Sequence, residues 1–301
     1  MRRLVVLGTA GQVPTRQRNL NGYLLQWDNE ALLFDPGEGT QRQMLMARVK
    51  STSITRILIT HFHGDHCLGL PGVVQRLALD GVTRPVRLYY PAGGREYLDR
   101  LLRSSVSHGR VPLDLRPVQD SGVVDDGPGF SITAARLEHG AEVFGWRLEE
   151  PAGRRIVPER CEELGVSGTQ IGVLQRDRFL EKAGRRITLE EVSEPRPGQS
   201  FAFVMDTRIC DRAVALASNA DMLVCESTYL STEAALAQKY GHLTAAHAAL
   251  IAREAGARLL VLTHFSQRYD DVALLLAEAQ EVFPNTVAAR DLETIPVPAR
   301  G

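Results

Sequence analysis

The sequence predicts an α/β fold, and three observations carry that prediction. Short apolar, β-branched runs alternate with segments of helical spacing through most of the 301 residues. A polar residue able to bind a cation or move a proton follows nearly every such run: Asp35, His61, His139, Asp206, Glu226 and His264. Strand ends on one rim of a sheet converge in space, so side chains carried there form one site. Finally, Ile59-Thr60-His61-Phe62 and Leu262-Thr263-His264-Phe265 echo each other, which hints at two similar halves set face to face.

Taken in order, residues 4–7 read as a first strand, closed by Gly8-Thr9-Ala10-Gly11. The loop Pro14-Thr15-Arg16-Gln17-Arg18-Asn19 follows, then residues 22–27 and 31–34 as a hairpin around Asp28-Asn29. Residues 39–49 have helical spacing, and residues 56–60 form a strand that leads into His61-Phe62-His63-Gly64-Asp65-His66, with Gly64 expected to allow a tight turn. A helix is expected over 73–79, a strand over 86–90 and a helix over 94–102. Residues 122–137 read as a hairpin that delivers His139, and 144–149 as a strand. The core resumes with strands over 201–205, 222–225 and 259–263 and a helix over 211–217. Thr244 caps a further helix stopped by Gly256, and a last helix over 272–283 ends before Pro284. His108 and His247 receive no role.

Between about residues 151 and 199 the composition turns to Arg, Glu, Gly and Pro, with thin apolar content. Nearly fifty residues is long for a plain surface loop, so the segment reads as a functional insertion within one domain spanning 1–301. With 44% hydrophobic and 24% charged residues the chain is an ordinary globular protein. A net charge of −1 excludes a uniformly basic nucleic-acid binder, while leaving room for a local basic patch. Arg2-Arg3 and the apolar residues 4–7 mimic the start of a signal peptide, but the run breaks at Gly8. No stretch approaches the ~20 apolar residues of a membrane span. Cys67, Cys161, Cys210 and Cys225 form no C-x-x-C pair and read as reduced thiols of a cytoplasmic protein. Cys67, next to His66, is either a ligand or a small buried residue.

Three of the eight histidines fall in the six residues 61–66, interleaved with Asp65. Imidazole and carboxylate are donors that Zn²⁺ accepts without a thiolate. This His-x-His-x-Asp-His run, followed by His139, Asp206 and His264, resembles the metallo-β-lactamase superfamily and, most closely, its tRNA 3′-end-processing branch, the ribonuclease Z family. The resemblance covers residues 14–19, 61–71, 201–208, 225–229, 241–245 and 263–269. It implies a four-layer αββα sandwich carrying a flexible arm at 151–199. It also implies two zinc ions (Mn²⁺ being an alternative): one on His61, His63 and His139, the other on Asp65, His66 and His264, with Asp206 shared. Asp65 would also orient the attacking water.

On the same resemblance, His242 in Gly241-His242-Leu243-Thr244 is the general acid and Glu226 holds its tautomer. Arg16, Arg18, Asn19 and Thr244 would meet the RNA end, and Arg176 and Arg178, with Lys182, Arg185 and Arg186, would make the arm cationic. The chain departs from the family at Arg16 (commonly Lys), at Gly168-Thr169 (usually Gly-Pro) and at Cys225 (often His). The implied activity is removal of the 3′ trailer from tRNA precursors by a cytoplasmic homodimer with no membrane partner. A small-molecule phosphodiesterase or arylsulfatase-like hydrolase of the same fold, and a non-catalytic RNA-binding module, are the alternatives.

Overall fold

The computed structural model of the chain describes residues 2–106, 109, 111–127 and 129–299; His108 lies outside them. The first half of the chain forms β1 (Arg3–Gly8), β2 (Gly22–Trp27), β3 (Glu30–Phe34), α1 (Thr40–Met46), β4 (Arg56–Leu58), α2 (Gly64–Cys67), α3 (Leu70–Leu79), β5 (Val86–Pro91), α4 (Arg95–Leu102) and β6 (Leu113–Val118). After β7 (Gly122–Asp126), β8 (Ser131–Arg136) and β9 (Phe144–Glu149) come β10 (Gly153–Ile156), α5 (Pro158–Glu163), α6 (Thr169–Asp177), β11 (Phe179–Lys182), β12 (Arg185–Thr188) and β13 (Ser193–Arg196). The last third supplies β14 (Ser200–Val204), α7 (Asp211–Leu216), β15 (Met222–Glu226), α8 (Ala234–Tyr240), α9 (Ala245–Glu254), β16 (Leu260–Thr263), α10 (Ala273–Val282), β17 (Thr286–Ala288) and β18 (Thr294–Pro296). Two compact units result. One is built from the chain up to Leu148 and from Ser200 to Ala299, the other from Glu149–Gln199.

The larger unit contains two seven-stranded sheets, ordered β18-β1-β2-β3-β4-β5-β6 and β17-β16-β15-β14-β9-β8-β7. Side chains alternate across each strand, so successive apolar residues enter different layers. Leu4, Val6, Phe34 and Tyr89 of the first sheet meet Phe144, Phe201, Phe203 and Val224 of the second in a central core. Val5, Leu7 and Leu88 face the other way, against Met44, Val73 and Leu98 of α1, α3 and α4. Ala202, Val204 and Leu223 likewise pack on Ala213, Ile251 and Leu275 of α7, α9 and α10. Helix, sheet, sheet and helix therefore stack as four layers. Strands buried on both faces must be apolar at every position, which is why they read as unbroken runs.

Some boundaries differ from the sequence reading. The helix expected to reach residue 49 ends at Met46, because Arg48 takes a left-handed backbone with φ 56°. Gly64 does not make a turn; it is the first residue of α2, so Asp65 and His66 project from a helix. α3 starts at Leu70 with Pro71 in its first turn, where a missing N–H costs nothing. Strands β6 and β18 lie outside the sequence reading: both are edge strands, β6 alternating over only Leu113-Asp114-Leu115-Arg116 before Pro117, and β18 only three residues long and ending in Pro296.

The smaller unit has two hairpin-like pairs, β10 with β13 and β11 with β12. Its thin apolar content still closes a core of its own from Cys161, Val166, Leu174, Ile187, Leu189 and Val192. The expected positive charge is not there. Residues 151–199 carry nine Lys and Arg against eight Asp and Glu. Arg176 pairs with Asp177, Arg178 with Glu190 and Arg185 with Glu191, while Lys182 Nζ donates to the Gly165 carbonyl.

At one end of the sandwich an ionic cluster ties the two sheets together. Asp125 of β7 accepts from Arg56 Nε of β4 (2.7 Å) and from Arg87 Nη1 (2.9 Å) and Tyr89 Oη (2.7 Å) of β5. Burial pushes the Asp125 carboxyl up, but hydrogen bonds from Arg56 and Tyr89 and the nearby guanidinium charges outweigh it, leaving the group below its ordinary value. A carboxyl held low in the fold adds stability above its unfolded pKa, about 3.9, and loses it as pH falls through the folded value. Asp125→Asn is therefore expected to cost about 2 kcal/mol at neutral pH, from the charge-assisted hydrogen bonds lost to Arg56, which keeps Glu30 at 2.7 Å, and to Arg87. Urea melts at falling pH should show that deficit shrinking in acid.

Candidate metal centre

Strand ends from both sheets meet at one rim. Asp35 follows β3, Asp206 follows β14 and His264 follows β16, and all three take positive φ, at 43°, 42° and 58°. Left-handed backbone is costly for such residues and persists where the surroundings over-determine it. His61 lies three residues beyond β4, and His139 three beyond β8.

Donor atoms of His61, His63, His139 and Asp206 lie within 4.8 Å of one another, as do those of Asp65, His66 and His264. Asp206 faces both groups. Its Oδ2 is 3.5 Å from His61 Nε2 and 3.8 Å from His139 Nε2. Its Oδ1 is 3.4 Å from His66 Nε2 and 3.2 Å from His264 Nε2. That Oδ1 is buried with no hydrogen-bond partner among the described residues. An orphaned carboxylate oxygen between two sets of imidazoles suits a pair of divalent cations.

The tautomers follow from what lies behind each ring. Asp35 accepts from His66 Nδ1 at 2.8 Å, and from the Thr60 N–H and Oγ1, each at 2.7 Å. With its proton committed to Asp35, Thr60 Oγ1 accepts from His61 Nδ1 at 3.0 Å. His139 Nδ1 donates to the Gly241 carbonyl at 2.9 Å. Thr228 Oγ1 donates to Glu226 and so accepts from His264 Nδ1 at 2.8 Å. In each of these four rings the outer nitrogen holds the proton, and Nε2 is left as a lone-pair donor facing inward. His63 alone turns Nδ1 inward, 2.9 Å from His61 Nε2.

Charge is distributed accordingly. Burial pushes His61 well below its ordinary pKa and His63 below its own, so both present neutral rings. For His66 burial is outweighed by Asp206, Asp65 and Asp35, which push its pKa well above the ordinary value, so the carboxylates around its Nε2 favour a positive charge there, one that a bound cation supplies in place of a second ring proton. Burial would raise Asp206, yet His264, His66, His242 and His61 drive it well below the carboxylate range. The pocket attracts cations and offers neutral nitrogen, the condition for metal ligation.

His242 sits beside this cluster, its ring 5.3 Å from that of His264. Its Nδ1 is 3.2 Å from both Glu226 oxygens and 4.0 Å from Asp206 Oδ2. It also groups with Asp206 and His264 as a candidate ligand set, although Glu226 already engages that nitrogen. Burial disfavours the charged ring, but Glu226 and Asp206 push it up to about 9. Glu226 is fixed in turn by the N–H groups of Thr207 (2.7 Å) and Leu243 (3.1 Å).

Several residues expected at an RNA are engaged internally. Arg18 Nη2 donates to the carbonyls of Ser266 (3.2 Å) and Tyr269 (2.8 Å), and Asn19 Nδ2 to those of Leu20 (3.0 Å) and Glu38 (2.9 Å). The Thr244 hydroxyl accepts from the His247 N–H, in a capping box that also gives His247 its place. Arg176 and Arg178 lie in the smaller unit, each paired with an acid. Arg16 stays exposed. Cys67 Sγ donates to the His63 carbonyl at 3.2 Å rather than joining the donor set, and burial pushes its thiol up to about 12. Thr60 and Thr228 went unmarked in sequence because a lone Thr carries no signal; Asp35 was marked only as a strand end.

Residues 16–152 match the Metallo-beta-lactamase superfamily. Over 99% of both chains the sequence is 58% identical to a ribonuclease Z of Nocardia farcinica. It is 54% identical to a ribonuclease Z of Salinispora arenicola, over 99% of this chain and 97% of that one. Among solved structures it resembles the short form of human tRNase Z (ELAC1), with a TM-score of 0.72 and 25% identity, over 99% of this chain and all of that one.

The Asp35 carboxylate orients His66 directly and His61 through Thr60. Asp35→Ala should weaken metal binding roughly 10- to 100-fold, measured by competition with a chromophoric chelator. Gly11→Ala should act on the other side, since a Cβ there would meet His264 ring atoms at 2.5–2.9 Å. Unchanged metal affinity in both variants would refute these roles.

Proposed function

We propose a function from one premise: this chain belongs to the ribonuclease Z family of the metallo-β-lactamase superfamily. It is a metal-dependent endoribonuclease that processes the 3′ end of tRNA precursors. More finely, it hydrolyses the phosphodiester after the discriminator base, leaving a 3′-hydroxyl on the tRNA and a 5′-phosphate on the trailer. The observation that carries this reading is the His242–Glu226 pair, set beside a cluster whose Asp206 faces two sets of imidazoles.

His61, His63 and His139 would hold one cation and Asp65, His66 and His264 the second, with Asp206 shared. When bound, two zinc ions make water nucleophilic near neutral pH and stabilise the attacking and leaving oxygens. The protein's own groups handle the protons and the substrate. Asp65, whose Oδ2 is oriented by the Gln12 N–H at 2.8 Å, accepts the proton of the attacking water. The P–O3′ bond breaks and the departing 3′-oxygen takes a proton from His242 Nε2, while Glu226 keeps Nδ1–H in place. Arg16, the exposed cation of its loop, meets a phosphate. A homodimeric, cytoplasmic enzyme belongs to the same proposal, supported by the family resemblance. Among the described residues no helix is long and apolar enough to cross a membrane.

Metal-loaded protein should cut a 3′-extended tRNA precursor after the discriminator. His242→Ala should lose roughly 10²- to 10⁴-fold in kcat with its metal content intact. A diester with a p-nitrophenolate leaving group needs no proton donor, so the same variant should lose far less on it. An intact precursor alongside hydrolysed small diester would instead make the chain a small-molecule hydrolase of this fold.

A further inference from the structure

A cavity of about 590 Å³ lies against the catalytic rim, lined by Gln12, Tyr229, Tyr240, Ser266, Gln267 and Arg268. Its volume falls in the range that holds small ligands, roughly 300–1,000 Å³. The chemistry of its walls is specific: two phenol rings, one guanidinium, two amides, one hydroxyl and no carboxylate. Neither the Tyr229 nor the Tyr240 hydroxyl has a hydrogen-bond partner among the described residues. Tyr240 is 47% exposed. Lys239 Nζ lies 5.1 Å from the Tyr240 ring centre, and among the described residues the Arg268 guanidinium pairs with Glu233 alone, at 3.8 Å. Aromatic rings and planar cations at a positive rim are what an unstacked nucleobase binds.

The cavity is tied to the reacting centre from three directions. The Gln12 N–H binds Asp65, and Ser266 stands two residues after His264. The Tyr229 ring is 6.2 Å from that of His242, and Tyr240 precedes His242 by two residues. A base held here therefore belongs to a nucleotide flanking the broken bond. It lies on the His242 side, where the leaving 3′-oxygen is protonated.

We infer that this cavity is a stacking subsite for the base of the nucleotide whose 3′-oxygen departs, the discriminator base, with Tyr240 and Arg268 as its platform. The inference rests on the ribonuclease reading above. Stacking accepts any base, since each has a π-face, so the subsite seats the discriminator without reading its identity.

The test uses full-length tRNA precursors that are intact, abasic at the discriminator, or abasic at the first trailer nucleotide, with wild type, Tyr240→Leu and Tyr240→Phe. Wild type should lose roughly 10- to 100-fold in kcat/KM on the discriminator-abasic precursor and little on the trailer-abasic one. Tyr240→Leu should lose a similar factor on intact precursor and nothing further on the discriminator-abasic one, while Tyr240→Phe keeps the rate. Independent, multiplying losses, no loss, or a loss confined to the trailer-abasic substrate would each overturn the subsite. If wild type cleaves every precursor equally, the subsite falls and the ribonuclease reading stands; if it cleaves none, both fall.

Discussion

Everything at the rim depends on burying the Asp206 carboxylate between two sets of imidazoles. An ionised carboxylate out of water is expensive unless opposite charge and donors surround it. Here they come from both sheets: His61 and His66 after β4, His139 after β8, His264 after β16. None is close to Asp206 in sequence. The two sheets must therefore stack in one register before the charge is satisfied, and the aromatic core between them supplies that register. Phe203, three residues before Asp206, packs 4.8 Å from Phe34, next to Asp35.

The same geometry explains the backbone strain. Asp35, Asp206 and His264 leave their strands in a left-handed conformation. Each strand stays buried up to that point, so the chain is anchored on one side while the polar side chain turns onto the rim. The cost is borne by the sheets, whose strands are buried on both faces.

A ring of groups behind the ligands decides which nitrogen each histidine presents. Asp35, Thr60, Thr228 and the Gly241 carbonyl take the outer protons. Thr228 has a second consequence, for it joins His264 to Glu226, and Glu226 in turn holds His242. Metal ligation and proton donation thus share one hydrogen-bonded scaffold. The smaller unit, by contrast, spends most of its charge internally, and its Arg–carboxylate pairs leave it close to neutral. If RNA meets that unit, shape and single exposed groups such as Arg186, stacked on Phe179, matter more than net charge.

By itself the sequence determined the periodicities and the donor types. Unbroken apolar runs marked the doubly buried strands, and the polar residues after them marked the rim, because a buried strand tolerates polarity only where it ends. The echo of residues 59–62 in 262–265 foreshadowed the paired sheets. Tertiary structure alone decided how the donors are used. It turned Gly64 into a helix start, committed Arg18 and Asn19 to main-chain carbonyls and Thr244 to a helix cap, and gave Asp35 a ligand-orienting hydrogen bond. The reason is physical: a hydrogen bond is allotted by distance and angle, and here the competing partners lie up to 251 residues apart along the chain.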